Sequence, residues 1–359
     1  MNHSIPGTSA DASTTSRSLQ DLISTMASTT AHYPFKRWGF GENIAMEALI
    51  HAGAKPGHIA AGLVTGWARE HQPLVEDSLA HVAPGVPLLQ LIERGAYECK
   101  ALLDCALELA TVLSRCVVGH HGAQVHRPDL EGWEHEVWVD CMHLDGPFLS
   151  LLAHLIDDER YADLAANILL SHAHVLQNEH SGLFSHGFND ATGQTNGVHW
   201  GRGQGWALLG LVDTAAHLPD QHPSQDEIRQ RFAALVEGLA ATEANPGAWH
   251  TVVDAPETYL ESSVGAFVAL GVGRGIATNL LPWSWSALAD RAWNATEECI
   301  STDGVLQGVS DATPVGPNAA HYGARSRSSF PWGQGPALLA ASERLRKRGP
   351  VSEANDARN

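Results

Sequence analysis

Trp200-Gly201-Arg202-Gly203-Gln204-Gly205-Trp206, continued by ALLGLVDTAA to Ala216, carries Ala, Leu and Gly around its whole helical circumference. The stretch SSVGAFVALGVGRGI, from Ser262 to Ile276, does the same. A helix that is apolar on every face is one surrounded by protein, so these two segments predict a layer of helices enclosed by other helices. The WGxG opening recurs at Trp38-Gly39-Phe40-Gly41 and Trp332-Gly333-Gln334-Gly335, each time ahead of a segment rich in Ala and Leu. Glycines let a loop backbone approach a helix N-terminus and the indole can cover the opening, so the repeat is expected to mark one rim of a toroid. Coincidence in a chain with 34 Gly and 11 Trp is the alternative, and the same placement of all three copies relative to a helix favours the repeat.

Outward from these stretches, helical periodicity predicts about twelve segments, punctuated by Gly, Pro, Asn or Asp. They fall near 17–29, 40–52, 58–71, 86–94, 97–117, 137–156, 158–178, 202–217, 224–243, 260–275, 285–301 and 334–346. No run of alternating β-branched residues is long enough to predict a sheet. Successive helical hairpins, half of them inner and half outer, give an all-α protein of the (α/α)6-barrel type, a six-hairpin toroid. A two-domain helical solenoid is the rival. The expected organisation is a flexible segment over 1–18, a catalytic barrel over 19–346 and a flexible tail over 347–359. Three non-helical stretches, near 118–136, 179–201 and 302–333, exceed what connectors need and are where function is expected.

With 22 Lys+Arg against 40 Asp+Glu, the net charge of −18 argues against a nucleic-acid-binding surface. The chain has 44% hydrophobic residues, enough for a sizeable core, and no apolar run that would span a membrane. Its five cysteines form no CxxC pair and its polar start lacks the apolar core of a secretion signal, so a cytoplasmic protein with reduced thiols is expected. Flat aromatic faces and many histidines (11 Trp, 21 His) suit a sugar-binding cleft, although large aromatics are more often core.

The densest chemistry lies between Trp133 and Phe148 (WEHEVWVDCMHLDGPF). Asp140 follows Trp138 and Val139 at the start of an apolar helix. A carboxyl held against indole and aliphatic surface keeps its proton more readily than one in water, which is the state a general acid needs. The plainer reading of such an Asp is a helix-dipole partner. Glu134 and Glu136 read as solvated loop residues. Asp145, five positions after Asp140, points elsewhere on a helix, so no close carboxylate dyad is expected. His135 and His143 lack a partner pair at ligand spacing; no metal and no cofactor are predicted.

The second cluster contains His186 and the run from His199 to Trp206. Arg202, flanked by glycines and two indoles, can approach a ligand and engage a carboxylate through its planar fork. Trp200 and Trp206 suit stacking on a sugar ring and His186 a hydroxyl contact, with core packing as the alternative for each taken alone.

Together, Trp138-Val139-Asp140, Gly146-Pro147-Phe148, His186 and Trp200 to Trp206 resemble the signature of glycoside hydrolase family 105, the unsaturated rhamnogalacturonyl hydrolases, related to the unsaturated glucuronyl hydrolases of family 88. The resemblance continues through Trp249 to Asp254, Glu261-Ser262-Ser263, Gly308 to Asp311 and Trp332 to Gly335, spanning roughly 36–345. It implies an (α/α)6 barrel and a cofactor-independent hydrolase of 4,5-unsaturated uronic acids at the non-reducing end of lyase-generated oligosaccharides. By the same resemblance Asp140 is the acid and base, Arg202 binds the uronate, and His186, Trp200 and Trp206 line the unsaturated sugar. Trp138, Gln204, His126, His135, Trp38 and Trp332 complete the expected substrate-binding set, His126 lying within an apparent insertion over 120–134.

Leu144 stands where many family members carry Met, and Asp145 where they carry a small residue, which bears on the aglycone more than on the reaction. Two other classes compete: a sugar epimerase or isomerase on the same barrel, using facing histidines, and a non-catalytic oligosaccharide-binding protein. A small unsaturated oligosaccharide is the expected partner.

Overall fold

Several helix starts are written locally. The Ser18 side chain accepts the backbone N–H of Asp21, and the Asp158 side chain that of Arg160, so each satisfies a donor that a helix N-terminus leaves open. The computed structural model describes residues 17–36, 39–71, 84–95 and 99–347; Trp38 and the ends of the chain, with the expectations placed on them, lie outside the described residues. In chain order the helices are α1 (Leu19–Ala31), α2 (Gly39–Ala52), α3 (Ala54–Glu70), α4 (Gly85–Glu93), α5 (Cys99–Leu113), α6 (Cys141–Ile156), α7 (Glu159–Leu176), α8 (Gly201–His217), α9 (Gln225–Ala241), α10 (Ser262–Ala277), α11 (Ser286–Glu298), the short α12 (Ala319–Gly323) and α13 (Pro331–Lys347).

Helices α2, α4, α6, α8, α10 and α13 pack each on the next, and α13 returns to α2, closing an inner ring. Outside it, α1 lies on α2 and α13, α3 on α2 and α4, α5 on α4 and α6, α7 on α6 and α8, α9 on α8, and α11 on α10. This is the expected (α/α)6 barrel, and the solenoid alternative lacks the closing contact. Burial follows the two layers. Every residue of α6 from Cys141 to Ala153 is buried, whereas α9 buries one stripe, Ile228, Phe232, Leu235, Val236, Gly238 and Leu239. Small residues let the inner helices approach: a Cβ on Gly335 of α13 would stand 2.7 Å from the backbone nitrogen of Ala45 in α2. No described helix is long and apolar enough to cross a membrane.

Two features depart from the sequence expectation. The WGxG glycines of the second and third copies are not loop residues but lie in the first turns of α8 and α13. A Cβ on Gly203 would meet Val139 at 2.9 Å, and one on Gly201 would meet Val264 at 2.7 Å, so close packing of neighbours accounts for these glycines. The expected rim is nevertheless there, because α2, α8 and α13 all begin at the same end of the ring.

The absence of sheet is also corrected. Val137 and Trp138, expected to open a helix, instead belong with Glu136 to strand β1 (Glu136–Trp138), paired antiparallel with β2 (Gly187–Asn189), which pairs with β3 (Gln194–Thr195). A second ribbon joins β4 (Val309–Ser310) to β5 (Arg327–Ser328). Strands of two or three residues are too short to show a period of two, and their partners are distant in sequence. Apart from Val137 and Trp138, the strands arise from the long stretches singled out as loops, and both ribbons lie at the N-terminal rim.

Candidate active site

The ribbon of β1 and β2 brings the two sequence clusters together. Trp138 is in register with Gly187, and the Val139 N–H donates to the His186 carbonyl at 3.0 Å. Asp140 thus arrives beside His186, with Oδ2 3.2 Å from Nε2. Asp140 occupies the residue before α6, but its side chain makes no capping bond there. The carboxyl is therefore not consumed as a helix cap; it is buried at 6% exposure and lines a cavity of about 510 Å³.

Trp133, Trp138, Trp200, Trp206 and Trp332 supply the aromatic walls of that cavity. The indole N–H groups of Trp138, Trp200 and Trp206 are buried without a partner in the protein, which leaves three donors beside a space lined mostly by carbon. His126 stands behind the wall, stacked on Trp138 at 4.4 Å, with Nδ1 3.4 Å from Cys141 Sγ. Trp332 stacks on Phe330 at 4.7 Å and donates its indole N–H to the Ser310 carbonyl.

Arg202 lines the same cavity, its guanidinium 4.5 Å from the Trp200 ring. Both terminal nitrogens already donate within the protein: Nη1 to the carbonyl and hydroxyl of Ser310, Nη2 to the Asp311 carbonyl and to Thr313 Oγ1. Glu261 lies 3.5 Å from Nη1 and accepts the Ser310 N–H. Burial lowers the guanidinium pKa, and the nearby carboxylates of Glu261 and Asp140 oppose that shift. Arg202 therefore holds the 310–313 loop in place and presents its charge to the cavity, with its fork turned into the protein.

Two expected binding residues are placed elsewhere. Gln204 is fully buried off the cavity, donating to the Phe184 and Trp200 carbonyls and accepting the Phe184 N–H, so it fastens the loop before β2 to α8. His135 is exposed and does not line the cavity, and its backbone carbonyl accepts the Asp190 N–H. Asp145 is buried in α6 and does not line the cavity.

Sequence reasoning missed Tyr322. Its hydroxyl lies 2.7 Å from His186 Nδ1, so His186 stands between Tyr322 and Asp140 while packed on Trp200 at 4.2 Å. Tyr322 sits in α12, inside a stretch without periodicity, and 136 positions from His186, so no local pattern marks it. Trp133, at the edge of the dense stretch, also lines the cavity, as do Lys36 and Thr313, which no motif marked.

The cavity is bounded by the N-terminal ends of inner helices: Asp140 precedes α6, Trp200 precedes α8, and Gly41 and Trp332 lie in the first turns of α2 and α13. Their partial positive charges converge with Arg202 at one mouth. Such a place accepts an anion even in a chain of net charge −18.

The family model for Glycosyl Hydrolase Family 88 matches residues 43–348. Among curated relatives, the unsaturated rhamnogalacturonyl hydrolase YesR of Bacillus subtilis (strain 168) is 28% identical over 221 residues, covering 59% of this chain and 61% of that protein. An unsaturated 3S-rhamnoglycuronyl hydrolase of Alteromonas sp. (strain LOR) is 25% identical over 214 residues, covering 58% of this chain and 51% of that protein. The matches thus span about half to three-fifths of those relatives' length. The fold is similar to that of a possible member of the GH105 family from Klebsiella pneumoniae subsp. pneumoniae MGH 78578, with a TM-score of 0.80 at 21% identity, covering 92% of this chain and 93% of that one. With a family model matched along most of its length and a closed six-hairpin ring carrying the cavity, the chain belongs to glycosyl hydrolase family 88.

Proposed function

We propose that this protein releases a 4-deoxy-4,5-unsaturated uronic acid from the non-reducing end of lyase-generated oligosaccharides by hydrating its C4=C5 vinyl ether. The observation that carries this is Asp140: a buried carboxyl, free of helix capping, in an aromatic cavity whose mouth favours an anion. Relatives of the family are named as unsaturated rhamnogalacturonyl and 3S-rhamnoglycuronyl hydrolases, which supports the same substrate class.

Asp140 gives its proton to C4, and the positive charge that develops at C5 is shared with the ring oxygen. Water adds at C5 and returns a proton to Asp140, leaving a hemiketal. The hemiketal opens to a ketone at C5, and the hemiacetal formed at C1 expels the neighbouring sugar as an alcohol. One acid that serves twice is sufficient. Ordinary glycosidases need a second carboxylate across the scissile bond. Here the other carboxylate on the lining, Glu42, accepts the Lys36 N–H at an exposed position.

In this reading Trp200 and Trp206 form the walls of the unsaturated sugar's subsite and His186 orients Asp140. Arg202 and the helix N-termini stabilise the uronate charge across a dry wall, a preorganised field that costs no rearrangement during reaction. Trp138, backed by His126, and Trp332 lie toward the neighbouring sugar. A cytoplasmic setting accords with five cysteines that form no disulfide.

The test is the ultraviolet absorbance of the conjugated double bond in an unsaturated disaccharide. Hydration destroys it, whereas epimerisation, isomerisation or binding alone leaves it intact. An unchanged chromophore with purified protein overturns the proposal.

A further inference from the structure

His186 is neutral or charged, and protonated on one nitrogen or the other, according to what its neighbours require of it, and here the requirement can be traced back to the backbone. The Asn196 side-chain oxygen accepts the N–H groups of Gly187 and Val198, each at 3.3 Å. Its amide nitrogen is thereby turned toward Tyr322, donating to the Gly316 carbonyl at 2.9 Å and to the Tyr322 hydroxyl at 3.1 Å. The Gly316 N–H donates to the same hydroxyl at 3.0 Å. Two donors occupy the lone pairs of the phenol oxygen, so its own proton is the one group left for the 2.7 Å contact with His186 Nδ1. A ring nitrogen that accepts a proton donor carries no hydrogen, and in neutral imidazole the hydrogen then belongs to Nε2. Nε2 is the atom 3.2 Å from Asp140 Oδ2.

We propose that Tyr322 is a positioning residue that locks His186 in its Nε2–H form and so decides which oxygen of Asp140 carries the acidic proton. With Oδ2 accepting from Nε2–H, the proton resides on Oδ1, the oxygen left to deliver it to a ligand. In the opposite tautomer the Nε2 lone pair would face Asp140 and capture that proton in an Asp140–His186 hydrogen bond, away from the substrate. Burial pushes the Tyr322 hydroxyl up to about 12, which keeps it a donor throughout the working range. The surroundings agree, since Tyr322 and His186 are both fully buried, and the Asn196 side chain that orients the relay is itself fixed by the backbone of Gly187, Val198 and Gly316. The consequence for turnover rests on Asp140 being the acid; the tautomer does not.

The experiment is a long-range ¹H–¹⁵N correlation spectrum of histidine-labelled protein without substrate, with the His186 signals identified by their loss in His186→Asn. The expected wild-type pattern is a neutral ring with hydrogen on Nε2. Hydrogen on Nδ1, or a doubly protonated ring at neutral pH, overturns the proposal, and this spectrum decides it even if Tyr322→Phe does not fold. If the variant folds, its His186 signals move to the Nδ1–H pattern or to a mixture, and kcat falls about tenfold or more with KM within about twofold of wild type. A folded variant that keeps the pure Nε2–H pattern overturns the assignment to Tyr322. Because the spectrum is read without substrate, a wild-type protein with the Nε2–H pattern and no hydration activity would contradict the proposed reaction and leave the relay standing.

Discussion

Asp140 and His186 are 46 positions apart, yet Oδ2 of one lies 3.2 Å from Nε2 of the other. The link is three residue pairs of antiparallel ladder, Glu136 with Asn189, Val137 with Phe188 and Trp138 with Gly187. A slip of one residue would turn the side chains of β1 to the other face and carry Asp140 away from His186. The active-site geometry thus depends on a ribbon at the rim more than on the helix that Asp140 precedes.

Replacing Asp140 with Asn should leave the fold intact, because the side chain supports no helix cap, and should remove the acidic proton. Turnover is expected to fall by about 10²–10⁴. Chromophore decay measured beside circular dichroism checks this; near-wild-type turnover in the folded variant would exclude Asp140 as the acid.

Reaction in D₂O should place one deuterium at C4 of the released uronate, since the proton delivered by Asp140 comes from solvent. Hydrolysis at C1 by a pair of carboxylates leaves C4 untouched. Mass and NMR analysis of the product separates the two, and a product with no deuterium at C4 would contradict vinyl-ether hydration.

Arg202→Lys keeps a charge but cannot reach Ser310, Asp311 and Thr313 together. Each lost charge-assisted bond is worth about 1.5–3 kcal/mol, so the variant should unfold at clearly lower denaturant and bind the uronate more weakly through a displaced 310–313 loop. Equilibrium denaturation and KM are to be measured together. A raised KM at unchanged stability would show that Arg202 acts on the substrate directly and not through the loop.

Glu47, buried in the inner ring, has its carboxyl pushed from 4.5 up to about 8 by burial, partly countered by Arg274. Its neighbour His143 is pushed from 6.5 down to about 3, again by burial. Between pH 4.5 and 8 the native state holds more proton on Glu47 than the unfolded state does, so this group's contribution to stability declines as pH rises through that window. His143 works oppositely, losing stability as pH falls from 6.5 toward 3. Above pH 6.5 only the Glu47 slope remains of the two. Glu47→Gln should therefore gain on wild type between pH 6.5 and 8, by on the order of 1–2 kcal/mol. Denaturation curves at both pH values test this, and a difference that does not change with pH would mean that Glu47 is ionised in the folded protein.

The helical architecture was legible because helix formation is written in local periodicity: WGRGQGWALLGLVDTAA and SSVGAFVALGVGRGI announce enclosed helices through composition alone, and they are α8 and α10. The repeated WGxG element announced the rim. Asp140, Trp200, Trp206, Trp138 and Trp332 were recognisable as a set, and they do share one cavity. What sequence could not determine depends on contacts between distant segments. Gln204 and Arg202 stand in the same motif, yet on α8 one side chain faces the Phe184 loop and the other the cavity, and only the packing of α8 separates them. His135 is exposed and His126 buried although both stand on the loop before β1, a difference no local pattern marks. Tyr322 meets His186 from a five-residue helix, its hydroxyl held by the Gly316 backbone N–H and the Asn196 side-chain amide. Helices are specified within a few turns of chain, whereas short strands, loop orientation and the direction of a proton relay are specified by partners that the chain must first fold to meet.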